Sequence, residues 1–497
     1  MNPLFSPAEG TSSLSSSLME GSKSVINFFA SLSGFTLWAA VIVAILAVVM
    51  GMRKGFRSKP ISATPPKGGP GKWAWIAVAV LWVVVMLNYF DRQLLAVLNS
   101  SITEGESGIP MTQGQFGMVT SAFLIVYAAL SPVGGYLADR FSRKFIILCS
   151  LVVWSAVTWY TGAANSYEEL LVARAAMGIS EAFYIPAALA LISDYHRGST
   201  RSMATGLHMS GIYAGQMLAG CGALLAGEPY CLGWRLTFET FGFIGVAYAL
   251  IVVLFLHDPE SPAAPAEEAE ATAEAASGES ASASAASDFS IGHVLKSLFT
   301  GRAMAMLLVM YACAGFANWF LMGWYPRLLQ DMFHISESEA GPQATLWINI
   351  AKYIAVLGAA AVADVWYRRN KNARAYVPGI CFCIAGPCVI FAMLPALGVP
   401  LALGLSATLA LVSMQGVAQG SLDATLMPVL RSHIDERFSA TGYGLLNLTS
   451  VGAGALISWL GGYLKDMNVD LGVPLSMAGV LMVICGLFFF FLPKKNA

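Results

Sequence analysis

Charge is what this chain has least of. Asp, Glu, Lys and Arg make up 11% of its 497 residues, where soluble domains carry about 25%. That shortage excludes an ordinary soluble globular protein. Acids and bases nearly cancel to a formal net charge of −1, so there is no basic domain with which to hold nucleic acid. Catalytic patterns are missing too. The six histidines form no H-E-x-x-H, and neither a G-x-S-x-G elbow nor a phosphate-binding glycine loop occurs. The eight cysteines lack metal-ligand spacing, with Cys381 and Cys383 forming only a C-x-C inside an apolar run. Cys221 and Cys231 sit near one helix end and its loop, where a disulfide is possible but not expected. These absences point away from an enzyme, a bound metal or an organic cofactor.

Apolar sequence is what the chain has in abundance. Apolar residues make up 57% and the mean hydropathy is +0.65. Runs of about 20 apolar residues cross a bilayer core as helices, so the expected class is an all-α polytopic membrane protein. Such runs lie near 28–51, 73–98, 115–138, 145–163, 169–193, 203–225 and 236–256, then near 303–328, 343–364, 375–395, 400–428, 441–463 and 474–492. The pattern divides into a tail, an extra transmembrane helix and a basic segment (1–72), a six-helix bundle (73–257), an acidic Ala/Ser/Glu-rich linker (258–300) and a second six-helix bundle (301–497). The linker has no apolar periodicity and reads as a solvated tether.

Orientation follows from where the cations fall. Placing 53–72 in the cytoplasm gathers 21 of the 28 basic residues on that side, together with the C-terminus. The first apolar run lacks the positive start and small-residue cleavage site of a secretory signal, and Arg53, Lys54, Arg57 and Lys59 follow it. It is expected to be an uncleaved anchor with the N-terminus outside an inner (plasma) membrane.

Against this background a few charges stand inside apolar runs: Asp91 and Arg92, Arg174 with Glu181 seven residues later, and Lys352. A charge at mid-membrane costs about 2.5–3.5 kcal/mol on insertion scales, so such groups face a partner or a watery cavity and mark a pathway by default. Seven residues are about two helical turns, which puts Arg174 and Glu181 on one face. Depth along their helices lets Asp91, Arg92 and Arg174 meet across the first and fourth core helices.

An internal repeat organises these residues. Gly135-Tyr-Leu-Ala-Asp139-Arg140-Phe-Ser142-Arg143-Lys144 closes the second core helix, and Ala360-Ala-Val-Ala-Asp364-Val-Trp-Tyr-Arg368-Arg369 closes its counterpart. Arg201-Ser-Met-Ala-Thr-Gly206 opens the fifth, and Arg437-Phe-Ser-Ala-Thr-Gly442 opens its equivalent. The offsets are 225 and 236 residues, as expected of two six-helix halves in parallel repeat. Halves of that kind put a site at mid-membrane on their interface.

The first of those segments resembles the G-x-L-A-D-R-x-G-R-K signature of major facilitator superfamily transporters, with Ser142 standing for the second glycine. Asn88-Tyr89-Phe90-Asp91-Arg92 and Arg174-Ala-Ala-Met-Gly178-Ile-Ser-Glu181-Ala narrow the likeness to two groups. These are the anion:cation symporters (sugar-acid and sialin-like carriers) and the spinster-like lipid carriers. The superfamily likeness covers about 73–495, while the subfamily motifs lie before 206.

The resemblance implies a secondary transporter working by alternating access, with a proton as the coupling ion. Arg92 and Arg174 are the expected anion-attracting groups, since a guanidinium fork holds a carboxylate with two hydrogen bonds. Asp91 and Glu181 are the expected proton carriers. Tyr89, Lys352, Asn318 and Gln419 are candidates for lining the cavity. Asp423, near a helix end, reads as interfacial. Asp139, Arg140, Arg143 and Lys144, mirrored by Asp364 and Arg368, are expected to stabilise closure at the cytoplasmic mouth. The cargo expected is a small organic anion such as a hexuronate, aldonate or sialate, carried by a monomer among membrane lipids. Two alternatives stay open: a lysophospholipid or sphingoid carrier, and a transporter-like receptor or scaffold that moves nothing. The charges have a purely structural reading as well, in which they form ion pairs that fix helix packing.

Overall fold

The computed structural model describes residues 71–196, 200–257, 302–433 and 439–492. The expected extra helix near 28–51, most of the basic segment after it and the 258–300 linker lie outside the described residues. The described chain is helical throughout its ordered elements: α1 (Lys72–Val97), α2 (Asn99–Thr103), α3 (Gln113–Arg140), α4 (Arg143–Ala163), α5 (Tyr167–Glu181), α6 (Tyr184–Tyr195), α7 (Arg201–Ala226) and α8 (Gly233–Phe255). After the linker come α9 (Arg302–Phe333), α10 (Glu337–Tyr367), α11 (Ala373–Met393), α12 (Leu405–His433), α13 (Ser439–Asp466) and α14 (Gly472–Phe490). Among the described residues, 11 spans are long and apolar enough to cross a membrane. Besides the five-residue α2, the helix outside that set is α12, which carries Gln415, Gln419 and Asp423 and packs against α10 and α11.

Local sequence explains the boundaries. Ser166 accepts a hydrogen bond from the Glu169 N–H at 3.2 Å to start α5, and Glu168 and Glu169 follow in the positive first turn. Ser336 does the same for α10, accepting from Glu339 N–H at 3.3 Å, which starts that helix six residues before the apolar run does. Ser142, the departure from the transporter signature, caps α4 by accepting from Phe145 N–H at 3.2 Å. Here a hydroxyl serves a helix start where the signature has glycine.

The fourth apolar run is not the single helix its hydropathy suggests. It breaks at Ala182–Phe183, directly after Glu181. Pro186 has no N–H for the Ala182 carbonyl and crowds it, which is the usual cause of such a break. A Cβ at Gly134 would come within 2.5 Å of the Ala182 carbonyl oxygen, so α3 lies tight against the break. Small residues set other close approaches. Gly211 and Gly215 of α7 lie against α1: a Cβ at Gly211 would sit 2.6 Å from Val85 and one at Gly215 3.0 Å from Phe90 N.

The two halves, α1–α8 and α9–α14, grip each other at one end. Asp466 at the end of α13 accepts from the N–H groups of Gln113 (2.8 Å) and Gly114 (2.7 Å), the unsatisfied first donors of α3. Glu337 in the first turn of α10 accepts from the Ser101 N–H at 3.1 Å and from the Ser101 hydroxyl. Arg327 joins Glu104 at 2.8 Å and Asp331 at 3.2 Å, and Lys465 reaches Asp331 at 2.6 Å. Gly220 of α7 and Gly341 of α10 bring backbones together, so that a Cβ at Gly220 would lie 2.9 Å from the Gly341 carbonyl. At the opposite end, which carries the basic loops, a Cβ at Gly206 or Gly444 would meet nothing within 4 Å.

Candidate functional site

The N-terminal half brings the four motif charges into one cluster. Arg92 of α1 makes an ion pair through Nε with Glu181 of α5, their side chains 3% and 0% exposed. Asp91, the residue before, points to another neighbour and accepts from the Thr158 hydroxyl of α4 at 3.1 Å. Arg174, one helical face with Glu181, is buried; its Nη1 meets the Met177 sulfur at 3.1 Å and its guanidinium lies 5.7 Å from the Phe238 ring centre. Arg174 interacts electrostatically with both Glu181 and Asp91. Its Nε and Nη2 are nonetheless without hydrogen-bond partners, as are one oxygen of Asp91 and one of Glu181. The cluster is balanced in charge and short of hydrogen bonds.

Aromatic rings wrap the Arg92 guanidinium. Its carbon lies 4.5 Å from the ring centre of Tyr89, 5.1 Å from Phe123 and 4.5 Å from Tyr127. Cations over aromatic faces gain about 0.5–2 kcal/mol, more when desolvated, so the arginine is held even where hydrogen bonds are few.

The C-terminal half carries a second, smaller set. Lys352 of α10 is buried and donates to the Asn318 amide oxygen of α9 at 2.9 Å. Asp423 of α12 interacts electrostatically with Lys352. It accepts from the Gln419 amide at 2.9 Å and from the Tyr213 hydroxyl of α7, across the halves, at 3.2 Å. Tyr311 of α9 and Tyr443 of α13 also lie within electrostatic reach of Asp423. Asp423 is exposed, although groups from α7, α9, α10 and α13 surround it. A side chain both encircled and open to water-sized contact lines an internal space. Tyr443, 41% exposed, lies in the same space and interacts with Tyr127 of the other half as well as with Asp423. At its closed side, Gln93 donates to the Met322 carbonyl at 2.7 Å and Gln216 meets the Met322 sulfur at 3.7 Å.

Asp423 and Tyr443 are thus exposed where groups of the two halves meet, whereas the side chains of the four motif charges are buried. Lys352, Asn318 and Gln419 gather around Asp423, whose place at the chamber rather than at an outer interface is a correction to the sequence reading. Tyr213, Tyr443 and Thr158 carried no pattern that marked them, since a tyrosine or threonine in an apolar helix reads first as packing.

The residues expected to gate stand at the basic end. Arg143 pairs with Asp194 of α6 and also reaches the Ala190 carbonyl at 3.3 Å, while Lys144 donates to the Val253 carbonyl at 2.8 Å. These contacts stay inside the N-terminal half. Asp364 pairs at 2.8 Å with Arg374, ten residues on in the next helix. The side chains of Asp139 and Arg140 lie outside the described residues. All eight cysteines are free thiols, Cys221 and Cys231 included.

Comparison with known proteins adds an independent line. A family model described as Major Facilitator Superfamily matches residues 81–457. The D-galactonate transporter of Escherichia coli is 27% identical over 65% of this chain and 74% of its own length. The hexuronate transporter of Escherichia coli is 24% identical over 57% and 70%. Protein spinster of Drosophila melanogaster is 28% identical, over 40% of this chain and 33% of its own. Among solved structures, a bacterial homologue of the human lysosomal transporter Spinster, inward-facing and unoccupied, superposes with a TM-score of 0.68. It is 20% identical over 85% of this chain and 98% of the other, a likeness that speaks to the fold alone.

Proposed function

Because the chain belongs to the major facilitator superfamily, we propose that this multi-pass transporter moves a small polyhydroxylated organic anion, such as a sugar acid, by proton-coupled symport with alternating access. The Arg92–Glu181 pair is the observation that carries this reading. A buried ion pair is weak evidence for stability, because desolvating both charges offsets most of their attraction. A second guanidinium with unfilled donors beside it makes little sense as a packing device. It makes sense as machinery in which an acid and a cargo carboxylate compete for the same fork.

The steps follow from that competition. With Glu181 ionised, Arg92 is occupied by its own carboxylate and the carrier is self-capped. A proton on Glu181 cancels its charge and releases the guanidinium, which then offers two parallel donors to a substrate carboxylate. Arg174 keeps a positive potential at the cluster, and Asp91, held by Thr158, is the second acid able to take a proton. Loss of the proton returns Glu181 to Arg92 and ejects the anion. Cargo and proton thus load and leave together. The contacts between the halves by Asp466, Glu337 and Arg327 at the end away from the basic loops fit a state closed on that side and facing the basic loops, which the cation distribution assigns to the cytoplasm.

Uptake into proteoliposomes with an imposed pH gradient tests the reading, using hexuronates, aldonates and sialate beside a lysophospholipid. Accumulation of a sugar acid that collapses with a protonophore is the expected result. The likeness to spinster favours one rival, a lysolipid carrier. Movement of the lysophospholipid with no sugar-acid uptake would install that rival instead.

A further inference from the structure

The C-terminal set around Lys352 has no part in the exchange just described, and its geometry is that of a site. Lys352 is a buried ammonium with three donors and one hydrogen bond, to Asn318. Beside it, Asp423 faces the chamber and is steadied by Gln419 from its own helix and by Tyr213 from the opposite half. A buried cation left with donors to spare seeks acceptors, and an exposed carboxylate next to it is a replaceable counter-ion.

We propose that Lys352 and Asp423 form a second anion subsite, which takes the distal carboxylate of a dianionic cargo whose other carboxylate is held by Arg92. The inference rests on the organic-anion reading above and deepens it, naming a dicarboxylate as the preferred substrate class. One guanidinium stands against Tyr89 and Tyr127 in the N-terminal half and one ammonium against Asn318 in the other, and Tyr443 interacts with both Tyr127 and Asp423. A cargo with an acid at each end ties the halves together, while a single-ended acid leaves the Lys352 side to Asp423. When the distal carboxylate takes over Lys352, Asp423 turns to its remaining partners, Gln419 and Tyr213, with Tyr311 and Tyr443 as its other titratable neighbours. Tyr213 spans the halves, so the exchange at Asp423 is felt by both.

Galactarate and galactonate differ at one terminus, a carboxylate against a hydroxymethyl group, and they are the probes. In the unmutated protein reconstituted in liposomes, galactarate is expected to compete for labelled galactonate uptake about tenfold or more better than galactonate itself, the value of one charge-assisted hydrogen bond. Lys352→Gln is expected to erase that ratio, and Lys352→Arg to keep most of it. Equal competition by the two acids in the unmutated protein overturns the subsite, as does an undiminished ratio in Lys352→Gln. Uptake of neither acid removes the organic-anion reading and this inference with it, whereas galactonate uptake with no preference for galactarate removes this inference alone.

Discussion

The two halves hold their charges in opposite ways. The N-terminal set is closed: Arg92 and Glu181 are 3% and 0% exposed, and each leans on the other. The C-terminal set is half open, with Lys352 buried and Asp423 in the chamber. Water can compensate a charge in the second set and cannot in the first. The closed set is therefore the one whose protonation state must change for a charge to be released, which suits it to coupling. The open set can trade partners without a proton, which suits it to selection among cargoes.

Stability measurements break or sharpen this contrast. Arg92→Gln strands a buried carboxylate and is expected to cost about 3–5 kcal/mol, read as a large fall in the thermal midpoint in detergent. The double variant Arg92→Gln with Glu181→Gln removes both charges and is expected to recover most of that loss. Lys352→Gln leaves Asp423 facing water and is expected to cost about 1 kcal/mol or less. Equal losses for the Arg92 and Lys352 variants would erase the distinction between closed and open sets.

A smaller effect is expected at the grip between halves. Asp466 caps the first turn of α3 from the other half, and Asp466→Ala is expected to cost about 0.5–2 kcal/mol of that contact. The loss falls on one state only, so it shifts the balance between conformations. Raised labelling of a cysteine placed at Gln115, beside the cap, would register the shift; unchanged labelling would remove Asp466 from the seal.

How much was legible beforehand depended on which physics dominates each region. Eleven of the twelve core apolar runs coincide with helical spans long and apolar enough to cross a membrane, because a bilayer imposes length and hydropathy on any helix that crosses it. The four motif charges stood out because charge in an apolar run is expensive. Their pairing was not legible: spacing put Arg174 and Glu181 on one face, yet Glu181 pairs with Arg92 of α1, a contact between helices that spacing along one helix does not show. Asp423 was misread because its distance from a helix end says nothing of what the opposite half brings up to it. The partner of Asp364 was not legible for a similar reason, since Arg374 lies on the next helix and outside the repeated motif.

The central claim is that Glu181 carries the proton that frees Arg92. Glu181→Gln in proteoliposomes tests it most directly, comparing uphill uptake driven by an inward proton gradient with exchange of labelled for unlabelled sugar acid at equal pH. Exchange that continues while uphill uptake disappears is the predicted result. Uphill uptake that survives the substitution would contradict it.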